Sequence, residues 1–252
     1  MARDHSADAG GDPAILEAKR ALRDEVWDAL QDAGAARFPG ARGRIPNFTG
    51  AEAAAERLRG TDVWKGATTL KANPDSPQWP VRQRALEDGL VLYMAVPRLA
   101  EPEPFFLLDP RKLDVSARAA SSIKGASRHG TPVPVDALEP VDLVVAGCVA
   151  VDPSGARLGK GGGFSDLEFA IATEAGLIGD GTVVATTVHA AQVLERGRIP
   201  LTAHDVPLDL IVTPDEVIVC EREYPRPQGI LWDELSDEKI DAIPLLAGLR
   251  DG

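Results

Sequence analysis

The sequence predicts an α/β fold in three layers, with a mostly parallel sheet that carries helices on both faces. Short apolar runs typical of strands alternate with amphipathic helical segments over most of the chain. In addition, a basic, glycine-rich loop within GARLGKGGGFSDLEFA, residues 155–170, stands between a predicted strand and a predicted helix. Strands that alternate with helices favour parallel pairing, and ligands bind such sheets beyond the carboxyl ends of the strands.

The elements are predicted to form one domain, residues 13–252, behind a disordered leader at 1–12 that is rich in Asp, Gly and Ala. Pro13 favours the first turn of a helix that ends near Gly34, and the alanine-rich run 51–58 predicts a second helix. Strands are predicted at 68–71, 90–96, 105–108, 143–151, 182–188, 209–212 and 217–220, and helices at 81–87, 165–175 and 233–243. Residues 116–134 are predicted to be an irregular excursion.

Composition excludes several classes of protein. The net charge of −12 argues against a nucleic-acid partner, because no block of Lys and Arg is dense enough to bind a phosphate backbone. No apolar run approaches the roughly 20 residues that cross a bilayer, and the polar, acidic start is unlike a signal peptide. Cys148 and Cys220 lie in apolar runs, where reduced thiols are usual. We therefore expect a cytoplasmic protein without a membrane partner; the oligomeric state stays open.

The glycine-rich loop matches neither common phosphate-binding motif. A Walker A loop has four residues between its first glycine and the Gly-Lys pair, whereas Gly155 and Gly159 enclose three. A dinucleotide fingerprint that began at Gly159 would need glycine where Phe164 stands. Glycines nevertheless permit close backbone approach, and the positive charges of Arg157 and Lys160 add to the free N–H groups of a helix start. An anion site and a flexible turn with a solvated lysine both remain open.

The helix after the loop has an apparent start signal. Ser165 and Glu168 have the spacing of a capping box, in which each side chain bonds the other residue's backbone N–H. A strand, a glycine loop and a capped helix in this order favour the anion site over the turn.

Three segments together resemble the 5-formyltetrahydrofolate cyclo-ligase family, also called methenyltetrahydrofolate synthetase. They are RLGKGGGFSD at 157–166, HDVPLDLIVT at 204–213, and KRALR at 19–23, which fits the family's amino-terminal basic motif. The sequence is most similar to the divergent methenyltetrahydrofolate synthetase domain-containing branch. That likeness lies in RIPNF at 44–48, KANPD at 71–75, GKG at 159–161, FSDLE at 164–168, and TVH at 187–189 with Gln192.

The resemblance implies a fold of the NagB/RpiA/CoA-transferase type and a reaction that uses ATP and Mg²⁺. ATP would activate the N5-formyl oxygen of a reduced folate, N10 would attack, and 5,10-methenyltetrahydrofolate would form. Carried over by position, the cofactor-binding residues would be Lys19, Arg23, Gly159, Gly161, Gly162 and Gly163, and the catalytic residues Arg157, Lys160 and Asp166, with Asp166 near the metal. The folate or analogue would contact Arg44, Asn47, Phe48, Lys71, Asn73, Phe164 and His189.

The sequence also departs from the family. Where the family usually has Tyr-Tyr-Asp-Arg, residues 164–167 read Phe-Ser-Asp-Leu, and the family's early glutamate corresponds to the region 73–75. A relative that phosphorylates a different amide or formyl substrate therefore remains an alternative. Others are a non-catalytic nucleotide or pterin binder and a paralogue linked to thiamine metabolism.

Several candidate residues have structural alternatives. His189, with Gln192, stands just after a strand and is as well suited to cap the next helix as to reach a ligand. His204 and Asp205 are better explained as a loop anchor than as a metal pair. Asp209 lies within an apolar strand and needs a partner. Without the family resemblance, the charges at 19–23 would be taken for a solvated helix face.

Overall fold

Ten short strands and nine α-helices follow one another in residues 12–250, the part of the chain that the computed structural model describes. The strands are β1 (Thr69–Ala72), β2 (Val91–Ala95), β3 (Phe105–Leu108), β4 (Thr131–Val133), β5 (Leu143–Val145), β6 (Ala150–Val151), β7 (Arg157–Leu158), β8 (Val183–Thr187), β9 (Leu210–Val212) and β10 (Val217–Val219). The helices are α1 (Pro13–Asp32), α2 (Ala51–Arg59), α3 (Asp62–Gly66), α4 (Trp79–Glu87), α5 (Ala117–Ala120), α6 (Ile123–His129), α7 (Phe164–Glu174), α8 (Asp237–Asp241) and α9 (Pro244–Arg250).

The main sheet has eight strands in the order β10-β9-β8-β5-β1-β2-β3-β4. Strands β9, β8, β5, β1 and β2 are parallel, while β10 at one edge and β3 and β4 at the other are antiparallel. The predicted mostly parallel sheet is confirmed. Because parallel strands end on the same side, the carboxyl ends of β1, β5 and β8 lie side by side.

Helices cover both faces of this sheet, as predicted. Side chains of β2 alternate between the faces: Leu92 and Met94 join the buried cluster of helices α2 to α6, whereas Tyr93 and Ala95 join the cluster of α7, α8 and α9. Both clusters are buried apolar cores, so the molecule has the three layers that the sequence predicts. Within residues 12–250, no helix combines the length and apolar character needed to cross a bilayer.

Helix α1 lies at one end of the sheet. It begins at Pro13, as predicted, and the Asp12 carboxylate caps it by accepting a 2.8 Å hydrogen bond from the Ala14 N–H. Its apolar side, including Val26 and Leu30, packs on the hairpin that β6 and β7 form. The rest of the predicted leader, residues 1–11, lies outside the described residues.

The predicted single strand at 143–151 is wrong. β5 ends at Val145, and β6 pairs with β7 in a separate two-stranded sheet. The Gly147 N–H donates to the side-chain oxygen Oδ1 of Asn73 at 2.9 Å, and not to a backbone carbonyl of a neighbouring strand. Side-chain atoms of three neighbours would lie 2.9–3.2 Å from a Cβ at Gly147. The strand therefore ends because packing is tight after β5. The pattern of apolar residues in the sequence does not predict such packing.

The predicted capping box of Ser165 and Glu168 is also wrong. Helix α7 begins one residue earlier, at Phe164, and Gly163 occupies the N-cap position without a side-chain cap. The Ser165 hydroxyl donates to Asn73 Oδ1 at 3.0 Å, and Glu168 is buried. Both side chains thus serve tertiary contacts instead of the helix start.

Two further segments differ from their predictions. The excursion at 116–134 contains α5, α6 and the edge strand β4. The helix predicted at 233–243 is divided into a one-turn 3-10 helix, Trp232–Glu234, and α8. The Ser236 hydroxyl accepts a hydrogen bond from the Lys239 N–H, and this cap begins a new helix, α8, after the 3-10 turn.

Cys148 and Cys220 are free thiols, as predicted.

Candidate functional site

The loop between β7 and α7 presents a row of backbone donors. Gly161 has φ of 105° and Gly163 has φ of 63°, left-handed conformations that favour glycine. In the described part of the chain, the N–H groups of residues 160–166 donate to no protein acceptor. The last of these begin α7, whose dipole adds partial positive charge. A row of free N–H groups at a helix start suits an anion such as phosphate.

Helix α1 places one buried cation, Arg23, against this loop and a second, Lys19, against the 202–205 turn. Arg23 Nε donates to the Gly159 carbonyl oxygen at 2.8 Å, and Lys19 Nζ lies 2.5 Å from Asp205 Oδ2. Lys19 and Arg23 are one helical turn apart and so share a face, whereas the Arg20 side chain is 70% exposed. Lys19 and Arg23 are therefore buried and are not a solvated face, and of the two it is Arg23 that contacts the loop.

The base of the loop is held by an ion pair between Arg157 and Asp166. Arg157 also donates to the Gly147 carbonyl oxygen at 3.3 Å, and Asp166 accepts from the Val206 N–H at 3.0 Å. Burial alone would raise the pKa of Asp166, but the Arg157 guanidinium outweighs it and holds that pKa below its usual value. Despite its burial, Arg157 has a raised pKa because Asp166 faces it. Both groups are charged at neutral pH.

Within residues 12–250, the side chains at this site form no preformed metal cage. Among the described residues, no cluster of three or more His, Cys, Asp or Glu side chains is arranged to bind a metal ion. One oxygen of Asp166, the predicted metal neighbour, already accepts from both Arg157 and Val206.

Lys160 is the most accessible cation that the sequence predicted for the loop. Its side chain is 51% exposed, and its Nζ lies 3.8 Å from Asp75 Oδ1 at the carboxyl end of β1. Burial raises the pKa of Asp75, and the positive charge of Lys160 opposes this effect. Lys160 thus lies where the glycine loop meets the end of the sheet, open to an incoming ligand, with the more buried Asp75 carboxylate beside it.

Lys71 and Asn73 are buried and already paired. Lys71 Nζ forms an ion pair with Glu168, and Asn73 Nδ2 donates to the same carboxylate at 2.9 Å. Asn73 Oδ1 accepts from Gly147 and from the Ser165 hydroxyl. Burial raises the pKa of Glu168, while Lys71 opposes that rise. These contacts join the first turns of α7 to the end of β1 and so help to fix the position of the loop that precedes α7.

Of the other proposed substrate residues, His189 follows β8 and Phe48 contacts it, whereas Arg44 and Asn47 belong to the loop between α1 and α2. Phe48 is buried and meets His189 edge to face, with ring centroids 6.3 Å apart. His189 Nδ1 accepts from the Ala191 N–H at 3.1 Å, and Gln192 completes a capping box, so the capping alternative describes the observed contact. Asn47 Nδ2 donates to a carbonyl of its own loop, and the Arg44 side chain is exposed.

The predicted anchor at His204 and Asp205 has the contacts expected of it. Asp205 accepts from Lys19 and from the Thr202 backbone N–H, and His204 Nδ1 lies 2.6 Å from Glu234 Oε2.

Asp209 likewise has the partners that a partly buried carboxylate beside a strand needs. It pairs with Arg226 and accepts from the Val184 N–H at 2.7 Å.

Sequence reasoning missed one cation at the loop. Lys239, from α8, donates to the Gly162 carbonyl oxygen at 3.0 Å and lies 5.5 Å from the centre of the Phe164 ring. It is one of several charged residues in an acidic tail, and no motif distinguishes it. Glu168 was missed in a different way, because its spacing from Ser165 suggested a cap.

Comparison with known proteins decides the family. The sequence model of the 5-formyltetrahydrofolate cyclo-ligase family matches residues 15–214, most of the chain. The chain belongs to this family. The glycine loop and the basic face of α1, which carried the resemblance, both lie within the matched residues.

Two curated relatives carry the name of the predicted branch. The chain is 38% identical to the bovine methenyltetrahydrofolate synthase domain-containing protein over 242 residues, or 95% of this chain and 63% of the relative. It is 34% identical to the human protein of the same name over 240 residues, 94% of this chain and 62% of the relative. The chain therefore spans less than two thirds of the length of these relatives.

A solved structure supports the fold. The NMR structure of 5,10-methenyltetrahydrofolate synthetase from Aquifex aeolicus superposes with a TM-score of 0.52 at 21% identity, covering 82% of this chain and 94% of the other. At this identity the likeness concerns the fold, and it agrees with the predicted α/β class.

Proposed function

We propose that this protein binds the phosphates of ATP in its glycine loop and uses ATP to activate a formyl or amide oxygen. The substrate that family membership favours is 5-formyltetrahydrofolate, with 5,10-methenyltetrahydrofolate as the product. The observation that carries the proposal is the row of N–H groups at 160–166, which donate to no acceptor within residues 12–250, beside Arg23 and Lys160. Peptide N–H donors and cations are the groups that phosphoryl transfer requires around its moving charge.

Each side chain has a distinct part in this proposal. Bound Mg-ATP supplies the phosphoryl group that turns the formyl oxygen into a leaving group. Lys160 is exposed and is proposed to contact the phosphates directly, because its ammonium lies beside the open loop. Arg23 holds the loop backbone through Gly159. Arg157 and Asp166 are proposed to act together, as a fixed pair that holds the base of the loop.

We place the metal on the nucleotide. Asp166 is engaged by Arg157 and Val206, and Mg²⁺ commonly binds proteins through substrate phosphates with few protein ligands. Asp166 would then act through Arg157, and the phosphates of ATP would supply most of the ligands of Mg²⁺.

A nucleotide or pterin binder without turnover is the second candidate. It is favoured by the burial of Lys71 and Asn73, which are 2% and 3% exposed and paired with Glu168. Neither side chain has a hydrogen-bonding group open to a folate while this cluster stays closed. The two candidates share the phosphate site and differ in the chemistry at the end of β1.

Calorimetry and a product assay distinguish these candidates. The protein is titrated with ATP and Mg²⁺, without and with 5-formyltetrahydrofolate, while absorbance reports the methenyl product. Binding with product supports the cyclo-ligase. ATP binding without product supports the second candidate, or a different formyl or amide substrate. A lack of ATP binding would contradict both.

A further inference from the structure

The segment 227–250 follows the residues that the family model matches, 15–214, and it packs on α7. Ile230, Ile240 and Leu246 share one buried apolar cluster with Leu167. At the carboxyl end of α7, the Ile230 N–H donates to the Glu174 carboxylate at 2.9 Å. This segment therefore contacts the helix whose amino terminus forms the anion site.

At the amino terminus of α7, the same segment reaches the glycine loop. Lys239 is 7% exposed, and its ammonium donates to the Gly162 carbonyl oxygen at 3.0 Å. The ammonium also lies against Gly163, where a Cβ would be only 2.8 Å from Nζ. The face of the Phe164 ring is 5.5 Å away, a distance that permits a cation–π contact.

The contact between Lys239 and the Gly162 carbonyl also fixes the direction of the next N–H group. In a trans peptide the carbonyl and the following N–H point in opposite directions. By holding the Gly162 carbonyl, Lys239 directs the Gly163 N–H away from itself. Arg23 does the same for the peptide between Gly159 and Lys160. A carbonyl that turned toward a bound phosphate would repel it, so these two donors set the loop in its anion-binding form.

The segment has a second link to the site. Glu234 lies 2.6 Å from His204 Nδ1, and His204 contacts the Thr202 hydroxyl. Thr202 and Asp205 bind the Lys19 ammonium. Segment 227–250 therefore contacts the loop at Gly162 and is linked, through the 202–205 turn, to Lys19 of α1.

We propose that Lys239 is a positioning residue of the phosphate site, and that anion binding at the loop is coupled to docking of segment 227–250. The proposal rests on the proposed function for its ligand, ATP. It adds a residue and a segment outside the matched family region to that site.

Lys239→Met tests the proposal, with Arg250→Met as the matched control. Arg250 is a partly exposed cation of α9, in the same segment. Calorimetry measures the affinity of each variant for Mg-ATP and for adenosine. We expect Lys239→Met to lose about tenfold or more in Mg-ATP affinity, since a charge-assisted hydrogen bond is removed, and to keep its adenosine affinity within about twofold. Arg250→Met and the conservative Lys239→Arg should stay near the wild type.

Wild-type Mg-ATP affinity in Lys239→Met would overturn the proposal, as would equal losses for Mg-ATP and adenosine, which indicate general misfolding. Hydrogen exchange of the wild type gives a second measurement that needs no variant. Mg-ATP should slow exchange in both 159–166 and 227–250. Slowing confined to the loop overturns the coupling but leaves the proposed function intact. If wild-type protein binds no Mg-ATP, the proposed function itself fails, and this inference with it.

Discussion

Arg23 donates a 2.8 Å hydrogen bond from Nε to the carbonyl oxygen of Gly159, which lies 136 residues further along the chain. The contact joins the first helix to the glycine loop. Because Arg23 is buried, its guanidinium is held at this position and does not move freely in solvent.

Arg23→Met should weaken Mg-ATP binding by about tenfold or more, because a charge-assisted hydrogen bond to the loop is lost. Arg20→Met is the matched control on the same helix, since Arg20 is exposed and pairs with Glu17. Calorimetric titration of both variants measures the difference. Equal affinities in the two variants would show that Arg23 does not support the phosphate site.

Lys160→Ala should also weaken nucleotide binding by more than tenfold, which corresponds to about 1.4 kcal/mol or more. Unlike Arg23, Lys160 has a half-exposed side chain, so its removal should leave the free energy of unfolding nearly unchanged. Lys65→Ala, which removes an exposed cation from α3, is the control. Unchanged ATP affinity in Lys160→Ala would contradict a direct phosphate contact.

Mg²⁺ alone should not bind tightly to this protein. Asp166 already faces Arg157, and no cluster of metal-ligating side chains exists among residues 12–250. Titration of MgCl₂ without nucleotide is therefore expected to give no saturable heat, whereas Mg²⁺ should strengthen ATP binding. Saturable Mg²⁺ binding that Asp166→Asn abolishes would instead make Asp166 a direct metal ligand.

Glu168→Gln should destabilise the protein by about 3–5 kcal/mol, because it leaves the buried Lys71 ammonium without a counter-charge. The double variant Lys71→Met, Glu168→Gln should lose less than the sum of the two single variants, since it removes both charges together. Urea denaturation of all four proteins gives the coupling energy. Additive losses would show that the two side chains do not depend on each other.

Asp142→Asn tests a contact away from the site. Asp142 accepts hydrogen bonds from the backbone and hydroxyl groups of Thr68 and Thr69. Burial works against ionisation, but these donors outweigh it and lower the pKa of Asp142. The stabilisation is therefore present above the ordinary aspartate pKa of about 3.9 and is lost as pH falls through the lowered folded-state pKa.

At pH 7 we expect Asp142→Asn to cost about 1–3 kcal/mol of unfolding free energy, and the cost to shrink below about pH 4. Urea denaturation across this pH range measures it, with Asp136→Asn as the control because Asp136 is exposed. A cost that does not change with pH would exclude the carboxylate charge as its source.

Local signals predicted most of the fold. The alternation of strand and helix, the start of α1 at Pro13, and the strand Phe105–Leu108 all follow from periodicity and turn chemistry within short windows. The same signals failed at 143–151, where an apolar run contains a break that Gly147 makes possible. They failed again at Glu168. Its spacing from Ser165 matches a helix cap, but its side chain forms a buried ion pair with Lys71.

By itself, the sequence determined the fold class, the position of the glycine loop and the family, because each depends on the order of residues along the chain. Only the tertiary structure decided which partner each buried cation has: the Gly159 carbonyl for Arg23, the Glu168 carboxylate for Lys71, and the Gly162 carbonyl for Lys239. These pairs are far apart in sequence, and buried charges need partners that packing supplies. Composition shows that such charges exist, but only the folded chain shows which groups surround them.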